Sequence, residues 1–346
     1  SVYIRDAWRP WPFLTIQPGV RASMFWAPES DQRGTPNYGK TTSYTDVNPR
    51  LSMRYQMGDQ TYLKASVGRF TQYVFRVPRE IQGISVFSDI WFTTDPSEEG
   101  GPQYSTHYIT GLETGFGDDI DFTAEVYYKD YDDIAEFDYK ASAPQSTGDA
   151  LVRGSGYAYG LDLNLKKRAG RHMGWISYST GWTVRKIAGI KTIDPNDPAS
   201  PPQDFYPKYD QRHVTNTVYS FKWTDHWTIN ARFAYATGQG YTGTLGHYVI
   251  EGPIFTMTPS YKDYLNASRI TAYSRLDVGI RGSFQGWGVT WMPFLQIVNV
   301  LNHDNEFNRF STGGEWNIDH SNAEFAKEDS FGQLPILPTI GLDLEF

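Results

Sequence analysis

Cysteine is absent from the 346 residues, so no disulfide braces this chain. That absence fits an exported protein, for which disulfides are optional. Long apolar runs are absent as well. No uninterrupted apolar stretch approaches the ~20 residues that a transmembrane helix needs. Ser1–Pro10 is not an apolar segment behind basic residues and does not read as a secretory signal. Positive charge is scarce. With 31 Lys and Arg against 39 Asp and Glu, the net charge is -8 and the pI about 5.4. That balance argues against a nucleic-acid binder. Mean hydropathy is only -0.51. A low mean does not exclude a membrane protein, because a transmembrane barrel shows lipid only alternate residues.

Aromatic residues, by contrast, are abundant. They make up 16% of the chain, with 24 Tyr and 11 Trp. Membrane barrels place such residues in girdles at the two interfaces. They cluster here near short turns, as Trp8, Trp11 and Phe13, Trp223 and Trp227, and Trp287 and Trp291. The dominant pattern is strict alternation. Leu14, Ile16, Val20, Ala22 and Met24 alternate with Thr15, Gln17, Arg21 and Ser23. Leu51 and Met53 alternate with Arg50, Ser52 and Arg54, and Phe122, Ala124 and Val126 with Asp121, Thr123 and Glu125. Leu163, Phe233 and Val278 sit in similar segments, and the chain ends on another, Ile336–Phe346 (ILPTIGLDLEF). A period of two is the signature of strands with one apolar and one polar face.

Tight turns are expected near Pro10–Pro12, Gly58–Gln60, Gly117–Asp119, Arg168–Arg171, Thr224–His226 and Gln285–Gly288. Long connections are expected at about 27–46, 75–102, 132–152, 187–206, 242–272 and 304–335. Short and long connections alternate, as the turns and loops of outer-membrane barrels do. The predicted fold is all-β, a transmembrane antiparallel up-and-down barrel to which the chain supplies about thirteen strands. Every short turn then falls on the side of the carboxy-terminus. An odd count leaves two edges running in parallel, so independent closure is not expected.

Several segments resemble the carboxy-terminal barrel of TonB-dependent outer-membrane receptors. They are VNPRLSMRY (Val47–Tyr55) with LKASVGRFTQ (Leu63–Gln72), THYITGLETG (Thr106–Gly115) with AEVYYKDYD (Ala124–Asp132), and GSGYAYGLDL (Gly154–Leu163). YDQRH (Tyr209–His213), YSRLDVG (Tyr273–Gly279), FLQIVNVLN (Phe294–Asn302) and Leu334–Phe346 follow. The resemblance implies a barrel of about 22 strands plugged by an amino-terminal domain. Residues 1–346 are then one incomplete domain, with the plug and the earlier strands on the same precursor or a second chain. It further implies TonB-dependent uptake of a scarce nutrient such as a siderophore, cobalamin, glycan or peptide, with long loops extracellular and the carboxy-terminus periplasmic. The implied partners are outer-membrane lipid, the plug, TonB acting through the plug, and a surface lipoprotein. The alternatives are a passive porin or structural barrel and a soluble glycan-binding β-protein.

No catalytic constellation appears, and no cofactor or metal is expected. The seven His lack paired metal spacing, and Asp194, Asn196 and Asp197 read as turn residues. His213 reads as a wall residue. Gly154, Gly156 and Gly160 lack the strand–turn–helix context of a nucleotide site and read as barrel glycines that permit bends or close approach to a plug. The candidate ligand-binding residues are inward charges, Arg21, Arg54, Glu113, Glu125, Arg232 and Arg281, together with Phe310 and Trp316 of the last long loop. A packed core cannot satisfy so many inward charges, whereas a wet lumen can.

Overall fold

A computed structural model describes residues 1–30, 36–77, 80–81, 84–85, 90–94, 101–137, 151–188, 190, 201–241, 266–312 and 327–346. Among them there is no helix. Sixteen strand segments share one antiparallel sheet. They build thirteen columns, because three columns are interrupted strands. Ile4 opposite Val20 and Trp8 opposite Ile16 belong to one register, so Val2–Arg5 and Trp8–Trp11 are a single strand broken at Asp6-Ala7. In the same way Phe284–Gly286 continues Tyr273–Gly282 along Val289–Val298, and Asp204–Phe205 flanks His172–Ile187 in line with His213–Lys222.

The columns follow chain order, each paired with the next. Leu14–Ser30, Pro36–Gly58 and Thr61–Gln72 are followed by Gln103–Phe116, Ile120–Phe137, Leu151–Lys167 and His172–Ile187. His213–Lys222, Trp227–Ala236, Tyr273–Gly282, Val289–Val298 and Leu337–Glu345 complete the wall. Among the described residues the Val2–Trp11 column and Leu337–Glu345 each have one neighbour and do not pair with each other.

All six expected tight turns join adjacent columns. One two-residue turn lies between Gly286 and Val289, where Trp287 and Gly288 both have positive φ (56° and 75°). Two left-handed residues make the mirror-image turn whose twist matches the flanking strands. Glu345 stands opposite Thr290, just past this turn, so the carboxy-terminus lies at the short-turn end.

The long connections differ from the sequence expectation. The stretch expected as a loop at 27–46 is largely a continuation of its strands, with Thr41 opposite Pro28 and Pro36 opposite Ser30. Glu306–Thr312 pairs with Lys327–Gly332, and Val74–Val77 with Ile90–Thr93. Cross-hairpin pairing satisfies backbone groups that an irregular loop would leave to water. Polar alternation in such a hairpin looks like loop composition in the sequence.

The register settles the two faces. Residues directly opposite on neighbouring strands share a side of the sheet. Ile16 faces the same side as Met53 and Ala65, Val126 as Thr110 and Leu161, and Leu163 as Tyr178. Phe233 lies between Thr217 and Leu276, Val278 between Ala231 and Ile297, and Leu344 beside Trp291. Followed across the sheet, this is one continuous apolar face that also holds Leu14, Leu51 and Phe122.

Two aromatic rows bound that face. Tyr108, Tyr128, Tyr159 and Trp182 are mutual register partners on four consecutive strands. One pleat further from the short turns the same side carries Arg69, Thr106 and Asp130. At the other end stand Trp11, Phe116, Trp227 and Trp291. From Tyr108 to Phe116 is about 27 Å along the strand, or roughly 20 Å of height at the usual barrel tilt, close to the ~25 Å apolar band of a membrane barrel.

The apolar face yields a quantitative expectation. Phe233→Arg puts a cation toward lipid and should cost about 2–4 kcal/mol at the bilayer midplane, whereas Asn230→Arg on the opposite face should cost far less. Reversible unfolding in liposomes measures both. Equal costs would contradict a one-sided lipid face.

Candidate functional site

The second face is polar, and every inward charge named from the sequence lies on it. One register row runs Thr15, Arg54, Lys64, Gly111, Glu125, Asp162 and Ser179. The next carries Tyr62 and Glu113, and others carry Arg21, Arg232 with Asp277, and Arg281 with Phe294. The hollows of the wall open on this face. One of about 590 Å³ is lined by Asn230, Arg232, Asp277, Arg281, Gln296 and Asp343.

These candidates do not form one cluster. Glu113 is shared by Lys64 and by Arg54, whose Nη2 lies 3.9 Å away. The Arg54 guanidinium also lies 3.4 Å from the Tyr62 ring centroid. Arg281 pairs with Asp343 at 2.9 Å and lies over Phe294. Glu125 stands directly opposite Asp162, which juxtaposes two acids. Arg21 is several strands away and donates to Ser1 Oγ at 2.8 Å. Phe310 is not part of the wall. It pairs through its backbone with Asp329 in the 306–332 hairpin. Trp316, Asp194, Asn196 and Asp197 lie outside the described residues.

Glycines on this face make room for aromatic side chains. A Cβ on Gly160 or on Gly181 would sit 2.6 Å from the Tyr127 hydroxyl, so Tyr127 lies across both bare positions. At Gly160 the close neighbour is therefore a side chain of the wall itself. Gly156 is similarly tight, with the Val184 carbonyl 2.5 Å from its would-be Cβ.

Three buried polar centres stand at the long-loop end, and Asp210, Glu136 and Arg185 among their residues were not singled out as sites from sequence. Asp210 of the YDQRH segment is 2% exposed. It accepts from the Thr183 amide at 3.0 Å, from Arg212 at 3.2 Å and from Arg269 at 2.6 Å. Arg212 stacks 4.2 Å from the Tyr206 ring. His213 turns to the apolar face, its Nδ1 2.8 Å from the Tyr178 hydroxyl. The second centre joins the YSRLDVG and FLQIVNVLN segments. Asp277 takes a bidentate pair from Arg275 at 2.7 and 2.8 Å and accepts the Asn299 amide at 2.9 Å. Asn299, fully buried with φ 54°, donates to the carbonyls of His303 and Leu334. In the third, Arg185 pairs with Glu136 and donates to the Tyr209 hydroxyl at 3.0 Å. Buried charge paired and hydrogen-bonded in this way fixes a structure.

Beyond the wall, Glu306 ties the 306–332 hairpin down. It accepts from Arg309 at 2.6 Å and from the Thr271 amide at 2.7 Å. Arg309 also donates to the Tyr241 hydroxyl at 3.3 Å. Burial alone would raise the Glu306 pKa, but these donors outweigh it and hold the carboxyl down at about 2. A depressed pKa makes the ionised form the stabilising one. The hairpin's tether is therefore complete above the free-carboxylate value near 4.5 and is lost as pH falls through about 2. Hydrogen exchange corrected for intrinsic rates should show 306–312 amides losing protection across that window. In Glu306→Gln the protection should be lower and flat with pH. An unchanged wild-type profile would contradict the tether.

The comparisons with known proteins agree with this architecture. A family model described as TonB dependent receptor-like, beta-barrel matches residues 1–329. A search of curated proteins returns no match. Among solved structures, the ferric-catecholate import receptor Fiu of K12 E. coli aligns with 99% of this chain and 44% of its own, at TM-score 0.58 and 11% identity. The FrpB iron transporter of Neisseria meningitidis aligns with 98% of this chain and 44% of its own, at TM-score 0.57 and 13% identity. The copper transporter OprC aligns with 98% and 46%, at TM-score 0.59 and 13% identity. At these identities the likeness is one of fold, and this chain spans less than half the length of each.

Proposed function

This chain belongs to the TonB-dependent receptor family, and we propose that it is the carboxy-terminal part of the wall of an outer-membrane importer. Proteins of this family are transporters of the bacterial outer membrane rather than enzymes, and no bond chemistry is proposed for this chain. Its role in this reading is the energy-coupled uptake of a scarce nutrient. The observation that carries it is the two-faced wall. An apolar surface of bilayer height, bounded by aromatic rows, backs a surface dense in charge and hydrogen-bonding groups.

In this reading residues 1–346 are one incomplete domain. An amino-terminal plug and further strands, from the same precursor or a second chain, complete a barrel of about 22 strands. Lipid covers the apolar face, the long hairpins are extracellular and Glu345 is periplasmic. TonB, driven by the inner-membrane proton gradient, acts through the plug. A surface lipoprotein is a further partner at the outer rim. The cargo falls among metal chelates, cobalamin, glycans and peptides. The inward candidates Arg21, Arg54, Glu113, Glu125, Arg232 and Arg281 would line its path, with Phe310 and Trp316 above it.

The test is growth of the native host on the nutrient whose scarcity induces the receptor. Uptake should vanish when TonB is removed or the proton gradient collapsed, and should return with each restored. Transport that persists without TonB would establish a passive pore instead.

A further inference from the structure

Charge is not spread evenly over the polar face. One register row crosses six columns as Arg5, Gly19, Arg50, Gly68, His107 and Lys129. Arginines alternate with glycines in its first half, and it contains no carboxylate. Among the described residues Arg5 and Arg50 make no ion pair, whereas Arg54 and Arg281 on the same face do. Arg50 is held in place by an aromatic platform. Its guanidinium lies 4.4 Å from the Phe70 centroid, and the His107 ring lies 4.4 Å from the same ring.

A hollow of about 460 Å³ opens over this row, and Arg21, Gln17, Ser52 and Ser66 reach it from the rows on either side. That size is within the range of small-molecule sites, about 300–1,000 Å³. Arg5 and Arg50 stand two strands apart, about 10 Å, with the bare backbone of Gly19 between them. Neighbouring uncompensated guanidiniums raise one another's energy unless an anion joins them, and Arg forks match carboxylate and phosphate oxygens.

We propose that this row is an oxyanion-binding trough that takes a small polyanion bearing carboxylate or phosphate oxygens on opposite ends. The proposal rests on the uptake reading, for which it names the charge class of the cargo. A small ligand is favoured over an acidic polypeptide because Arg5 and Arg50 line one half-open hollow of about 460 Å³, the volume of a small-molecule site.

The experiment uses the full receptor purified in detergent and titrated by calorimetry at low salt. The probe is inositol hexakisphosphate, compact yet wide enough to reach both Arg5 and Arg50, with uncharged myo-inositol as control. The polyanion should bind and the inositol should not. Arg5→Gln with Arg50→Gln should weaken binding by about tenfold or more, while Arg168→Gln, at a short turn where the arginine is already paired with Asp121, should stay within about twofold. Arg50→Lys, which keeps the charge and loses the fork, should fall between them, and it carries the test if the double variant does not assemble. Failure of the wild-type receptor to bind, or equal binding by all variants, would overturn the trough. So would a flat wild-type titration in which the double variant instead exposes a protease-sensitive segment, because an acidic polypeptide then fills the hollow. TonB-independent uptake with trough binding intact would sink the uptake reading alone, and TonB-dependent uptake without trough binding would sink the trough alone.

Discussion

The backbone's hydrogen-bonding demand is the constraint on which the rest depends. In hydrocarbon no water pairs with an exposed N–H or C=O, and each orphan costs several kcal/mol. A strand meets that demand only through both of its neighbours. The thirteen columns therefore run side by side without a gap, and interruptions such as Asp6-Ala7 are short. Once the ladder is continuous, the pleat sends alternate side chains to opposite sides. Lipid selects one set and the aqueous interior the other.

From that separation follow the contrasting economies of the two faces. The apolar face carries little specific pairing. Its aromatic rows do the positioning, and its His213 is absorbed by Tyr178. The polar face must neutralise or hydrate its charges, and it does so locally, as in Arg281 with Asp343 or Glu113 with Lys64. At the long-loop rim the solution changes. Asp210, Asp277 and the Arg185–Glu136 pair are desolvated and take several donors each, so the rim is braced where the wall gives way to hairpins.

Much of the wall was legible because its signal is local. The alternation around Ile16, Met53 or Phe233 needs only adjacent residues, and the tight turns announce themselves through Gly58, Gly117 and Gly288. What was illegible depends on distant partners. Asp210 is bound by Arg269, 59 positions on, and Glu136 by Arg185, 49 positions on. No spacing rule joins them. The hairpin beyond Ala27 was read as loop because its sequence from Pro28 to Lys40 largely lacks the apolar half of the alternation. The charged candidates share one polar face, since face is a parity. Their scatter over many columns is a property of strand order, which parity does not carry.

That parity has a blind spot, and the bare positions under Tyr127 address it. A slip of one residue between two strands would drive a whole apolar set into water, so it is forbidden outright. A slip of two leaves every side chain on its proper face, and hydrophobicity cannot tell the two alignments apart. Tyr127 can. Displaced by one pleat, its ring would meet Ala158 or Asp162 instead of Gly160, where a Cβ already occupies the space. The Asp277 carboxylate, oriented by a bidentate pair from Arg275 and accepting the Asn299 amide across the strands, discriminates in the same way near the other edge. A few unrepeated shapes thus act as a vernier on an otherwise periodic lattice, selecting one alignment from a ladder of near-equivalent ones.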